Sequence, residues 1–291
     1  YHDLMWFVYS IFFAFWTSIG MLIAKKLLRQ TSPVLFFLIT LIIAWPFLVG
    51  ILLFTGIPTY SEDFFKFLVF CAVLDTVAAI FYYKALSISE ISLLAPISSF
   101  NPVFTLIFAW FLLNETPTPV KIFGIILIVI GAYLLNIKHV TSGILKPIQK
   151  LMSDKGVQLF LITNFIWGIT PILQKRAIFE TSPTSFISVP LVESIFIVIL
   201  ISPFLLKVKQ YKSFTAKNFK LLLVFGALSS LGAFAAMSAF TLSNLAYVTA
   251  IFKLSTLFSV VLGFVFFNER DIKERLLGAS VMVLGTILIA I

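Results

Sequence analysis

The chain has 291 residues, of which 60% are hydrophobic and 11% are charged, and its mean hydropathy is +1.10. Soluble domains contain about 45–50% apolar and about 25% charged residues, and a soluble fold of this length buries only about 75% of its chain's surface. This much apolar surface requires lipid as a solvent, so the composition excludes a soluble enzyme, a disordered chain and a nucleic-acid-binding protein. The formal net charge of +9 is then assigned to basic residues that flank membrane spans.

Ten segments are long and apolar enough to cross a membrane as helices. A spanning helix needs about 20 mostly apolar residues, and these segments are continuously apolar, unlike the alternating strands of a membrane β-barrel. The predicted fold is therefore an all-α membrane protein with ten transmembrane helices. In chain order the predicted spans are 4–25, 33–54, 65–85, 91–113, 120–137, 156–175, 184–206, 219–242, 246–268 and 273–291.

The sequence repeats itself in two halves of five predicted spans each. A shift of 154 positions aligns residues 72–135 with residues 226–289 without a gap. An odd number of spans turns the second half over relative to the first, as in inverted-repeat transporters. We therefore predict a first repeat at 1–140, a basic linker at 141–155 and a second, inverted repeat at 156–291. The motifs shared by the halves are Asn114-Glu115 with Asn268-Glu269, Trp16 with Trp167, and Thr31-Ser32-Pro33 with Thr181-Ser182-Pro183.

A short motif runs from the fourth to the fifth span, and part of it recurs in the second half. Its residues are Ala95-Pro96, Asn101-Pro102, Asn114-Glu115, Gly124 and Gly131 in the first copy, and Asn268-Glu269, Gly278 and Gly285 in the second, which lacks both prolines. The chain resembles the EamA type of the drug/metabolite transporter superfamily over nearly its whole length. The resemblance implies transport through a central cavity between spans one to four and six to nine. It also places spans five and ten at the periphery, where the glycines permit close packing.

Three ionisable residues lie well inside predicted spans, where an uncompensated charge costs several kcal/mol. Lys253 is a candidate for binding a substrate carboxylate or phosphate, or for an ion pair with Glu193 or Asp75. The two acids are candidates for proton coupling, or alternatively are neutral or salt-bridged structural groups. Lys84 and Lys175 lie near span ends, and we expect their ammonium groups to reach the lipid headgroups.

Prolines predict irregular helices inside the spans, at about the depth of the three ionisable residues. Pro96 and Pro102 predict an interruption of the fourth span, which would place Ser99 and Asn101 on a cavity wall. The same reasoning predicts an interruption at Pro171 in the sixth span and a kink at Pro190 in the seventh.

Aromatic residues complete the predicted substrate site. Trp16 and Trp167 lie about midway along their spans, deeper than interfacial aromatic belts. Tyr82 and Tyr83 lie nearer a span end, and Tyr83 is selected as the site candidate. Each ring is a candidate for stacking on a substrate or binding a cation, and core packing is the alternative.

No cofactor or metal is expected. The chain has one cysteine, Cys71, and its two histidines, His2 and His139, do not form a metal site. It also lacks a glycine-rich ATP-binding loop, so transport energy would come from a gradient.

The first functional hypothesis is a secondary transporter of a small polar metabolite, namely an amino acid or similar zwitterion, and not an enzyme. An organic-cation or drug exporter of the same fold is the alternative, and a lipid-modifying enzyme, a channel or a scaffold are weaker ones. The expected partners are a small-molecule substrate, the lipid bilayer and, if an acid couples, protons. We expect a monomer or weak dimer in a bacterial or archaeal cell membrane. Most Lys and Arg fall in loops on the side of the central linker, which places the termini outside.

Overall fold

The computed structural model describes residues 2–27, 33–89, 97–136, 153–205, 216–267 and 272–291. These residues form helices, short connections and one two-residue ladder. The helices are α1 His2–Leu27, α2 Pro33–Thr55, α3 Glu62–Ile88, α4 Asn101–Leu113, α5 Pro119–Asn136, α6 Lys155–Phe179, α7 Ser188–Leu205, α8 Ala216–Leu242, α9 Leu245–Phe252, α10 Leu254–Phe267 and α11 Ile272–Ala290. The strands are β1 Thr59–Tyr60 and β2 Thr181–Ser182, which pair antiparallel.

The all-α class is confirmed, and each of the ten predicted spans contains described helix. Within the described ranges, four helical segments can cross a membrane by length and composition, and six shorter apolar helices accompany them. The count of ten transmembrane helices therefore stays a prediction. The four long segments are Val34–Thr55, Glu62–Tyr82, Lys155–Phe179 and Phe219–Leu242.

Local sequence sets several helix ends. The Ser61 hydroxyl accepts a hydrogen bond from the Phe64 N–H at the start of α3, and the Asp154 carboxylate accepts from the Gly156 and Val157 N–H groups at the start of α6. Such side chains satisfy N–H groups that have no partner inside the helix. Asn114 ends α4 in the left-handed conformation, with φ of 55°, which asparagine tolerates better than most residues.

The packing of the helices follows the repeat. Helix α3 packs on α6, and its repeat equivalent α8 packs on α1; the pairs α2 with α8 and α7 with α3 are related in the same way. The equivalent helices α5 and α11 contact each other closely, because a Cβ atom at Gly131 would lie 2.6 Å from the Gly278 carbonyl oxygen. Gly124 likewise faces Gly285, so the two helices run antiparallel. This is the arrangement that an inverted repeat requires.

The fourth and ninth spans are interrupted at equivalent positions. Ser99 and Phe100 form a turn before α4, which confirms the predicted interruption, although Pro96 lies outside the described residues. Lys253, which aligns with Ser99, forms the turn between α9 and α10. The sequence does not predict this second break, because the span lacks proline. It is made by i to i+3 hydrogen bonds from the Lys253 N–H to the Ala250 carbonyl and from the Thr256 N–H to the Lys253 carbonyl.

Two of the proline predictions are wrong. Helix α6 continues through Pro171, so the missing N–H costs one hydrogen bond without ending a helix that is held on both sides by α3 and α4. Pro190 lies in the first turn of α7, where the N–H has no acceptor inside the helix and proline is well tolerated. It therefore does not kink the seventh span.

One end of the bundle carries a polar layer, defined here as the β1–β2 ladder, Glu115 and Lys175. The Lys175 ammonium lies 2.6 Å from Glu115 Oε1, with both side chains only 12% exposed. Glu115 Oε2 also accepts from the Leu245 N–H at 2.7 Å. The expectation that Lys175 reaches the headgroups is therefore wrong, because its charge is compensated by an acid of the other repeat. The polar layer joins the repeats at this end.

Candidate functional site

The two predicted intramembrane acids meet between the repeats. Asp75 lies on α3 and Glu193 on α7, and Glu193 is only 4% exposed. One carboxylate oxygen of each and the Cys71 sulfur all lie within 4.8 Å of one another. The sequence reasoning treated these three residues separately, because their proximity depends on the packing of α3 against α7.

The acid pair has unused acceptor capacity. Glu193 Oε2 accepts a hydrogen bond from Gln174 Nε2 at 2.9 Å. Among the described residues, neither Glu193 Oε1 nor Asp75 Oδ1 has a hydrogen-bond partner, although both atoms are buried. Buried polar atoms are nearly always paired in folded proteins. The two oxygens therefore mark a place for a proton, a metal ion or a cationic group of a ligand.

A cavity of about 420 Å³ opens beside the pair, and we call it the acidic cavity. Its walls are aromatic and aliphatic, and its described lining contains no basic residue. The rings of Tyr82 and Trp167 lie 5.4 Å apart. Such rings next to carboxylates attract organic cations. The lining residues are Phe37, Leu41, Asp75, Ala79, Tyr82, Trp167, Pro190, Glu193, Ser194 and Ile197.

A second cavity of about 480 Å³ lies between α1, α6, α8 and α9, and we call it the neutral cavity because no titratable residue is found in its described lining. Small residues of α8 face aromatic rings of α1 and α9. Trp16 Nε1 is buried here without a partner in the described part of the chain. The lining residues are Phe13, Trp16, Thr17, Gly20, Gln174, Phe225, Leu228, Ser229, Gly232, Ala233, Ala236, Met237, Phe240 and Phe252.

The two cavities are equivalent in the repeat. The 154-residue shift that aligns the halves also aligns several lining residues of one cavity with those of the other, and the two tryptophans occupy matching places. Their chemistry differs, because the acid of one cavity is replaced by a hydroxyl in the other. The equivalent pairs are Asp75 and Ser229, Ala79 and Ala233, Tyr82 and Ala236, and Trp167 and Trp16.

Gln174 connects the cavities. Its side chain lines the neutral cavity and donates to Glu193, which lines the acidic cavity. The sequence reasoning missed Gln174. It considered Tyr82 beside Tyr83 but selected Tyr83, whose side chain is outside the described residues. A polar side chain deep in the sixth span was the available signal for Gln174.

The remaining predicted residues lie elsewhere. Lys253 lines neither cavity and forms no ion pair within the described residues. Ser99 is buried at the equivalent turn, and its Oγ atom has no hydrogen-bond partner among the described residues. Asn101 donates to the Asn164 carbonyl at 3.1 Å and so fastens α4 to α6. The structure thus brings together Asp75, Glu193 and Trp167, and places Trp16 in the neighbouring cavity.

Two repeats of apolar helices, packed around buried acids and cavities, define a membrane transport protein. The model of the EamA-like transporter family matches residues 4–137 and again residues 154–291. The chain therefore belongs to the EamA-like transporter family, and each half carries one copy of its repeat.

Two other proteins are similar to this chain. An uncharacterized protein of Methanocaldococcus jannaschii is 30% identical over 92 residues, which cover 32% of this chain and 67% of that protein. A protein of known crystal structure superposes with a TM-score of 0.79 at 12% identity, covering 100% of this chain and 98% of that one. At this identity the likeness concerns the fold alone.

Proposed function

We propose that the protein is a secondary transporter of small organic cations and that the acidic cavity is its binding site. The observation that carries the proposal is the convergence of Asp75 and Glu193, one from each repeat, on a cavity whose described lining has no basic residue. Tyr82 and Trp167 add two aromatic faces. A compact ammonium group satisfies both unpartnered carboxylate oxygens and contacts the rings.

The same pair provides a coupling mechanism. Two carboxylates within 4.8 Å repel each other where water is excluded, so the pair needs a cation between them. A proton serves in the absence of substrate, and an organic cation displaces it. Cation and proton then occupy the site alternately, which is the requirement for exchange. Because the acids belong to different repeats, rocking of one repeat against the other changes the access to both.

An assay of proton movement tests this proposal. Proteoliposomes enclosing a pH-sensitive dye receive external tetramethylammonium, and we expect protons to leave as the cation enters. Asp75→Asn and Glu193→Gln should each reduce the signal to that of protein-free liposomes. Glu62→Gln, which removes an acid with 93% side-chain exposure at the start of α3, is the matched control. A signal unchanged in both cavity variants would refute the proposal.

The zwitterion hypothesis remains the second candidate, and the position of Lys253 favours it. Lys253 lies at a helix break inside the ninth span without an acidic partner in the described chain, so its ammonium is available to a substrate carboxylate. Lys253→Met separates the two hypotheses. Uptake of an amino acid should be lost if Lys253 binds its carboxylate, whereas tetramethylammonium exchange should persist in either case.

A further inference from the structure

We propose that the neutral cavity binds the apolar, aromatic body of the same cation whose charged group binds in the acidic cavity. This inference rests on the proposed function, and it narrows the substrate class to amines that carry aromatic rings. Nothing in the acidic cavity alone requires such a body, because a compact ammonium already satisfies both acids.

The size and lining of the neutral cavity carry the inference. Its volume of about 480 Å³ is roughly three times that of a ~150 Å³ apolar cavity known to bind benzene. Phe252 lies between Phe13 and Phe240, with ring centroids 4.1 Å and 5.9 Å away. Gly232, Ala233 and Ala236 of α8 line the same cavity and carry no side chain larger than a methyl group. A cavity of this volume, lined by aromatic rings and small residues, accommodates a flat aromatic group.

The polar groups of the neutral cavity limit what it accepts. Its described lining offers hydroxyl, amide and indole groups but no charge, so an ion gains nothing there that compensates for its lost hydration. Trp16 Nε1, which has no partner in the described part of the chain, is one available donor. An apolar body with a single acceptor matches this lining, whereas a zwitterion or inorganic ion does not.

Gln174 is the positioning residue between the two cavities. Its amide donates to Glu193 Oε2 at 2.9 Å while its side chain lines the neutral cavity. An ammonium that binds Glu193 competes for the same oxygen and releases the amide. Release of Gln174 then joins the two spaces, so that one molecule occupies both. A small cation needs only the acidic cavity.

Binding of three quaternary amines with the same trimethylammonium group tests the inference. The probes are tetramethylammonium, benzyltrimethylammonium and naphthylmethyltrimethylammonium, titrated into the purified protein by calorimetry. Affinity should rise with each added ring, by about tenfold per ring if the ring is buried. Gly232→Leu should abolish this rise because it fills the neutral cavity, and should leave tetramethylammonium binding within about twofold.

Gly232 tolerates a side chain, since a Cβ atom there would meet only the Phe13 ring at 3.6 Å. Ala233→Leu, at another residue of α8 that lines the neutral cavity, provides an independent filling variant if Gly232→Leu folds poorly. The matched control is Gly50→Leu, because nothing lies within 4 Å of a Cβ atom at Gly50. It should keep the full rise with ring size.

The possible results separate the two proposals. Equal affinity of the wild-type protein for all three amines, or an equal loss for all three in both filling variants, would overturn the inference and leave the acidic site intact. Failure of the wild-type protein to bind any of them would overturn the proposed function as well. A rise with ring size that only the filling variants remove would support the inference.

Discussion

The acidic and neutral cavities occupy equivalent places in the two repeats, yet acids are found in the described lining of only one of them. Asp75 is replaced by Ser229, and Tyr82 is replaced by Ala236. Glu193 has no acidic equivalent either, since the 150-residue offset that pairs Thr31-Ser32-Pro33 with Thr181-Ser182-Pro183 places it on Ile43. The described lining of one cavity therefore carries two acids and the Tyr82 ring, while the positions equivalent to Asp75 and Tyr82 in the other carry a hydroxyl and a methyl group.

The comparison shows that the repeat preserves helix packing but not chemistry. Charges inside a membrane are expensive, so a second acid pair at the equivalent site would add cost without adding a new function. Small residues at the equivalent positions instead leave space. An inverted repeat with two identical halves could not bind an asymmetric molecule in one orientation, whereas two unlike cavities can.

The largest expected effect comes from moving the acid to the other cavity. Asp75→Ser combined with Ser229→Asp keeps the number of acids but moves one carboxyl into the neutral cavity, away from Glu193. We expect proton-coupled exchange of tetramethylammonium to fall about a hundredfold, because Asp75 and Glu193 would no longer bind one proton or one ammonium group together. The proton-release assay in proteoliposomes measures this loss.

Asp75→Glu is the conservative control for the double variant. It keeps a carboxyl in the acidic cavity and should retain a measurable part of the exchange. Full exchange by the double variant would show that the two cavities are interchangeable, and the comparison between them would then lose its functional meaning.

A smaller effect is expected from the polar layer that joins the repeats. Glu115→Gln leaves the Lys175 ammonium, which is only 12% exposed, without its acid. Breaking a pair of this kind should destabilise this end of the bundle by about 2 kcal/mol. Parting of the repeats would then expose Cys71, the single cysteine of the chain, which is buried beside the acids. Labelling by N-ethylmaleimide should become about tenfold faster, as measured by intact mass.

Glu62→Gln is the matched control for this prediction. It removes the exposed partner of Lys66 at 3.8 Å, and an exposed pair contributes only about 0–1 kcal/mol. Equal labelling rates in the two variants would show that the polar layer does not hold the two repeats together around Cys71.

The sequence was sufficient for the helical class because apolar segments of this length have few alternatives in lipid. It also predicted the break near Ser99, since proline acts through the local backbone. The sequence wrongly predicted a break at Pro171 and did not predict the break at Lys253, and both errors have one physical reason. Whether a helix continues depends on the helices packed against it, and these neighbours are far away in the chain.

The candidate site was predictable only in part. Asp75, Glu193 and Trp167 stood out because charge and polar aromatic groups are unusual at that depth. Their convergence, and the links through Gln174 and Cys71, depend on helix rotation, which determines the face each residue presents. The same dependence explains why Tyr82 lines the acidic cavity, although sequence reasoning selected Tyr83.

The smallest expected effect distinguishes the two equivalent tryptophans. Trp167 lies close enough to Asp75 to interact with its carboxyl group, and its ring lines the acidic cavity. Trp167→Phe should therefore weaken tetramethylammonium binding by about three- to tenfold, since phenylalanine attracts cations less strongly than tryptophan. Trp16→Phe should leave this binding unchanged, because Trp16 lies in the neutral cavity.

The melting temperature of Trp16→Phe provides a second test. Loss of side-chain volume alone would lower it, whereas we expect no decrease. Trp16 Nε1 is buried without a partner in the described chain, so phenylalanine removes an unsatisfied donor along with some contact area. An unsatisfied buried group costs about 1–3 kcal/mol, and we expect the melting temperature of Trp16→Phe to equal that of the wild-type protein or to exceed it. Trp110→Phe, at a ring that is 54% exposed, controls for the change in size. A marked drop for Trp16→Phe alone would mean that the indole N–H has a partner, and the neutral cavity would then lack the free donor that distinguishes it.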